Sequence, residues 1–234
     1  MMILDSKTFN LKATFFKQIL LVGLYLCSTN VISETLNGKV SLTGKQAEKA
    51  ELTDVIVYFE PENPVSPIPL NTPYQIKMKG KAYHPRVSAI PLGSEIRISN
   101  HDSILHNAFS PSRVNPFDLG LYGKSDGKVH RFEHSGVTRI FCNVHYRMVA
   151  YVLILDTPFY TKVDQNGQFS LADLPKGKGV LTVWHERAKK ALKKIELPYV
   201  GKIEIELPIT KRRIPEHNRK SGKSYKKKRR SRRY

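Results

Sequence analysis

Short segments in which every second residue is apolar, each cut off by Gly, Pro, Asn or Asp, recur along this chain from Gly38 to Leu207 and leave no room for a long amphipathic helix. Ile96-Arg97-Ile98, Val129 to His134 and Ile203 to Leu207 alternate. Val55 to Phe59 and Met148 to Leu155 are nearly continuous apolar runs, the pattern of strands covered on both faces. Arg187 to Lys194 alone could pass for a helix, and it is short. Gly93, Gly120, Gly136, Gly167 and Gly177 fall at turn-like spacing. The expected fold class is all-β, an antiparallel sandwich or Greek-key barrel.

The two ends of the chain read differently. Lys12 and Lys17 precede an apolar run from Ile19 to Cys27, and Val31 and Ser33 fit the small positions before a signal-peptidase cut. That run is about half of the ~20 residues a spanning helix needs, so residues 1–33 are expected to be an export signal cleaved near Ser33. Leu26 stands where a lipoprotein cysteine at Cys27 would need a small residue. At the other end, residues 209–234 hold thirteen Lys and Arg against the single Glu216, so twelve of the nineteen net positive charges sit there. Such a run repels itself and is expected to be a disordered basic tail, whose plainest use is to keep the chain soluble. Total charge alone would point to nucleic acid. Export argues instead for an acidic protein partner or an anionic membrane surface.

Cleavage near Ser33 leaves Cys142 as the one cysteine of the mature chain. It ends the strand-like stretch Val137 to Phe141 and begins Cys142-x2-His145-x2-Met148, which runs into the next strand. A thiolate, an imidazole and a thioether can therefore converge from one short loop. His106, at the exit of the Ile96–Ile98 strand, is the candidate fourth ligand. His101 competes from the same loop, and His130, His134 and His185 are further alternatives. Cys, two His and a weak Met form a donor set suited to copper, whereas structural zinc sites draw on Cys and His and seldom on Met. Separately, a buried Cys, a core Met and a surface His are each common without any metal. Together, between two strands of an exported chain, they point to a metal site. A thiol-protease reading lacks a base and an orienting partner.

Tyr83-His-Pro85, Leu92 to Asp102, His106 to Ser110, Phe117 to Tyr122 and Cys142 to Tyr151 resemble the cupredoxins. The likeness is narrower to the plastocyanin/amicyanin-like proteins known as methylamine-utilisation proteins. The resemblance implies one type 1 copper held by His106, Cys142 and His145 with Met148 axial, and an Asn107 backbone amide donating to the Cys142 sulfur. It also implies an electron carrier and not an enzyme. Ser135 stands before Gly136 where that family often has Pro. Thr161 to His185 resembles the carboxypeptidase-regulatory-like β-sandwich module, whose opening strands match Gly38-Lys-Val40 and Val55 to Phe59. The expected organisation is a discontinuous module of residues 34–62 and 157–208, a cupredoxin domain over 63–156, and the tail 209–234; the simpler alternative is a cupredoxin with an added N-terminal strand pair and a separate C-terminal module. Tyr146 and Val149 are expected beside a docking surface at the His145 edge. Copper delivery without electron shuttling, and a structural cell-envelope sandwich, are the alternative functions.

Overall fold

The computed structural model describes residues 33–225, so the expected export signal, apart from Ser33, and the basic run 226–233 lie outside the described residues. The described chain is all-β: β1 (Glu34–Thr43), β2 (Ile56–Pro61), β3 (Tyr74–Lys79), β4 (Ala82–His84), β5 (Val87–Pro91), β6 (Glu95–Asn100), β7 (His106–Ser110), β8 (Phe117–Tyr122), β9 (Ser125–Arg131), β10 (Gly136–Phe141), β11 (Val149–Leu155), β12 (Tyr160–Lys162), β13 (Gln168–Leu174), β14 (Gly177–Trp184), β15 (Ala191–Leu197) and β16 (Ile203–Pro208). Among the described residues the helical content is two 3-10 turns, Ala47–Lys49 and Leu52–Asp54. No described helix is long and apolar enough to cross a membrane.

Four sheets form, with strand orders β13-β1-β16, β12-β2-β14-β15, β5-β11-β10-β7-β8 and β4-β3-β6-β9. Three apolar layers separate them. Val40, Phe59, Phe169, Leu181 and Leu207 fill the space between the first two sheets, which make an outer sandwich. Ile98, Phe132, Ile140, Met148 and Val152 fill the space between the last two, an inner sandwich. Ile56, Tyr58, Phe141, Tyr151, Leu153 and Trp184 pack where the two sandwiches meet. The unbroken apolar runs follow from this stack. Successive side chains of a strand point to opposite faces, so Val57 and Phe59 of β2 enter the outer core while Ile56 and Tyr58 face the seam. In β11, Ala150, Val152 and Ile154 enter the inner core while Val149, Tyr151, Leu153 and Leu155 face the seam. Each buried Val, Leu, Ile or Phe among them is worth roughly 1.5–3 kcal/mol of transfer free energy.

β1 pairs antiparallel with β13 and parallel with β16, and β2 pairs antiparallel with β12 and β14. Both strands thus find their partners in the last third of the chain, while residues 74–155 supply the inner sheets. The segment that could pass for a helix is extended instead. β15 pairs with β14 from Ala191↔Val183 to Leu197↔Gly177, and Ala188 forms a bridge with Ile209.

Residues 209–225 depart from the expected disorder. Arg187, only 1% exposed, donates through Nε to the Lys211 carbonyl (3.0 Å) and through Nη1 to the Lys49 carbonyl (2.7 Å), which fixes the path of the chain as it leaves β16. Ile214 then packs on the seam core. Backbone capture and apolar anchoring override the charge pattern here.

Candidate metal centre

β7 and β10 are sheet neighbours, paired at Phe141↔Phe109, so the entry to β7 and the exit from β10 share one end of the inner sandwich. There the Cys142 sulfur stands 3.9 Å from His106 Nδ1 and 3.8 Å from His145 Nδ1. These separations are too long for strong hydrogen bonds. They resemble the roughly 3.5–3.8 Å between nitrogen and sulfur donors that share one ion. One ligand atom from each of the three residues lies within 4.8 Å of the others, and the two imidazole rings are 4.9 Å apart and tilted by 59°. His106 and Cys142 are fully buried, while His145 is partly exposed.

Local chemistry sets the ring states. His106 Nε2 lies 2.8 Å from Asp102 Oδ2, so that nitrogen carries the proton and Nδ1 turns a lone pair toward the sulfur. The Asp102 carboxylate also accepts from the Lys81 and Gly80 amides, at 3.0 and 2.8 Å. These bonds, with His106, hold its pKa down to about 2. Burial first, then the neighbouring His106 and Lys81, lowers the His145 pKa and favours its neutral, ligating form. Asp102 went unassigned in the sequence; an acid four residues ahead of a candidate histidine is the signal that could have found it.

The loops are held as firmly as the rings. The Cys142 amide donates to the Met148 carbonyl (3.2 Å) and the Met148 amide to the His145 carbonyl (3.0 Å), closing the ligand loop. Met148 is fully buried in the same core as Cys142. Asn100 shapes the other loop, donating to the Ile104 and Tyr122 carbonyls and accepting from the Asp102 amide. The β6–β9 register shifts between Ile98 and Asn100, opposite Gly127. A side chain at Gly127 would place its Cβ 2.1 Å from the Ile98 carbonyl oxygen at a backbone φ of 93°, so glycine is required at this bulge.

Asn107 also acts through its side chain. Its Oδ1 accepts from the Asn143 amide (3.3 Å) and its Nδ2 donates to Asp118 Oδ1 and the Gly120 carbonyl (both 2.8 Å), so it clasps the two ligand segments together. One expectation about the loop needs correction. Val149 cannot line a docking surface: it is 3% exposed and faces the seam, because strand alternation turns it away from the loop.

The other histidines are occupied elsewhere. His101 is exposed and pairs with Ser99 Oγ at 3.0 Å. His130 stacks on Phe117 at 4.3 Å, and His134 is exposed. His185 belongs to a second buried group with Asp54 and Glu186, whose candidate ligand atoms also lie within 4.8 Å of one another. There the Arg86 guanidinium stands 2.5 Å from both Asp54 Oδ2 and Glu186 Oε1, where a metal would bind. His185 Nδ1 accepts from the Arg187 amide at 3.0 Å. Burial, reinforced by Arg86 and Arg187, pushes the His185 pKa down to about 4, while burial raises that of Glu186 against the pull of Arg86. This group is an ionic clasp between the sandwiches.

No protein-family model matches the chain, and a search of curated proteins finds no match. Among solved structures, a purple cupredoxin from Nitrosopumilus maritimus is similar over 35% of this chain and 99% of its own, at 26% identity and a TM-score of 0.32. A copper-containing nitrite reductase from Thermus scotoductus SA-01 is similar over 38% of this chain and 25% of its own, at 21% identity and a TM-score of 0.32. A Cu(I) form of an amicyanin variant is similar over 42% and 98%, at 14% identity and a TM-score of 0.33. At these scores the likenesses add nothing to what the chain's own sheets and side chains define.

Proposed function

We propose that the protein is an exported, periplasmic type 1 copper protein that carries single electrons between larger redox partners and catalyses no reaction itself. The observation that supports this most is the meeting of one thiol and two imidazole nitrogens within 4.8 Å, with the far nitrogen of His106 taken up by Asp102. Met148 offers a thioether from the same loop. Thiolate, two imidazoles and a weak thioether suit copper better than zinc, and copper held there would supply a one-electron Cu(II)/Cu(I) couple. The chain's own part is to keep the donors aimed before and after transfer. Asp102 fixes the His106 tautomer, Asn107 ties the two ligand segments, and the loop's internal hydrogen bonds keep Cys142 and Met148 in place. His145 is the ligand that reaches solvent, flanked by the exposed Val144 and Tyr146. The basic surface favours an acidic redox protein over nucleic acid, through steering that weakens with salt. The run after Tyr225 adds contact with an anionic membrane surface.

On this reading residues 63–156 are the copper-binding sandwich, set into a discontinuous carboxypeptidase-regulatory-like module of residues 34–62 and 157–208. The pairing of β1 with β13 and β16, and of β2 with β12 and β14, supports that division. Adding Cu(II) to the purified mature protein tests the reading, with an intense visible thiolate-to-copper band at one equivalent as the expected result. A colourless complex overturns it. Slow electron self-exchange with ready loss of copper to a chelator replaces the carrier by a delivery protein.

A further inference from the structure

We propose that residues 214–225 are a built-in part of this centre: a strap whose His217, Lys220 and Tyr225 are positioning residues that hold the Cys142 loop closed and shield its thiol before any metal arrives. The placement of the ligands belongs to the copper reading; the hold on the Cys142 backbone stands without it.

Three kinds of contact converge on a few residues. His217 lies between two rings that bracket the ligand loop, stacked on Phe141 at 4.2 Å and on Tyr146 at 4.6 Å. One ring immediately precedes Cys142 and the other immediately follows His145, so a single imidazole pins both shoulders of the loop. The Tyr225 hydroxyl donates to the Cys142 carbonyl at 2.7 Å, and its ring meets those of Tyr146 and His217 edge-on, each at 5.3 Å. The Lys220 amide donates to Asn143 Oδ1 at 3.0 Å, and its ammonium group pairs with Asp118.

Those last contacts close a ring. Asp118 accepts from Asn107, Asn107 accepts from the Asn143 amide, and Asn143 accepts from Lys220. The residue after His106, the residue after Cys142 and the strap are thereby linked in one circuit. A turn at Gly222, with the Arg219 amide donating to the Lys223 carbonyl, brings Tyr225 back over the loop. A tail that served only solubility would need none of these pairings.

The test uses the full mature chain, free of metal, with Cys142 challenged by an aromatic disulfide reagent. Because Cys142 is fully buried, its reaction reports opening of the loop. His217→Ala, which loses two ring contacts, is expected to speed the reaction roughly ten-fold, and His217→Phe to restore most of the protection. Tyr225→Phe keeps the ring and loses one hydrogen bond, and is expected to speed it about two- to ten-fold. Val200→Ser, at a site 94% exposed in the β15–β16 turn, serves as the control and leaves the rate unchanged. In copper-loaded protein the two strap variants shift the thiolate band and the control does not. Wild-type rates in both His217→Ala and Tyr225→Phe overturn the proposal. So does a rise matched by equal loss of amide protection in β1 and β13, which would mean global loosening. If the strap variants expose the thiol in a protein that gives no copper band, the copper reading fails and the strap stands.

Discussion

At one end of the inner sandwich Cys142 and two imidazoles face one another across 3.8–3.9 Å; at the seam Asp54, His185 and Glu186 lie as close together, yet the two groups differ in where their partners sit. In the first, the partners of the side chains sit behind them: Asp102 holds the far side of His106 and leaves the near lone pair free. In the second, the partners sit between them, since Arg86 contacts both carboxylates and the Arg187 amide occupies His185 Nδ1. Proximity of donors is therefore a poor criterion. What matters is whether their lone pairs are already spent.

The sharpest way to break this contrast is Cys142→Ser, which should abolish the visible copper band entirely, while His185→Ala leaves it intact; a band that survives Cys142→Ser rules out the thiolate centre. Arg86→Ala comes next. Removing one partner of a buried ionic group costs about 3–5 kcal/mol, to be read as a lower urea midpoint, and the vacated position should then accept a second equivalent of a divalent ion that the wild type ignores. The third effect is acid sensitivity. His185 has a folded pKa of about 4 against 6.5 when unfolded, so the unfolded chain binds its proton first. The stability it contributes is present above pH 6.5 and is lost as pH falls toward 4. The loss is at most about 3 kcal/mol. Glu186, with its raised pKa, works in the opposite direction. Comparing wild type with His185→Gln in urea melts at pH 7 and pH 4.5 isolates the imidazole, and equal losses in both would exclude it as the source. Smallest, Asp102→Asn should weaken copper binding about 10–100-fold through the His106 tautomer, measured by competition with a chelator, with the urea midpoint little changed.

The parts of this design that were legible in the sequence are those in which one residue type has one outlet. The unbroken runs of β2 and β11 could only be strands covered twice, and the seam of Ile56, Tyr58, Tyr151 and Leu153 is that second cover. Cys142-x2-His145 pointed to two donors leaving one short loop, and both lie with His106 within 4.8 Å. Asp102 was hidden because an Asp in a polar loop has many uses, and only the fold turns it toward His106. The strap was hidden because its lysines and arginines dominate the pattern. His217 and Tyr225 are ordinary residues until Phe141 and Tyr146 come within stacking range. Arg187 to Lys194 misled because charged residues at mixed spacing fit either a short helix or an exposed strand, and pairing with β14 decides between them.

The pairing of β1 and β2 with distant partners also sets a clock. As the chain emerges from the ribosome or through a translocation pore, the residues of β3 to β11 can collapse on their neighbours, while β1 waits for Gln168–Leu174 and Ile203–Pro208 and β2 for Tyr160–Lys162 and Gly177–Trp184. Contacts of such sequence separation form slowly, and in the interval the mixed strand β1 and the apolar strand β2 stand with open edges that invite pairing between chains. The ligand-bearing sandwich can be complete first and its host last. Crowded synthesis thus endangers the outer sandwich more than it endangers the half that carries His106, Cys142 and His145.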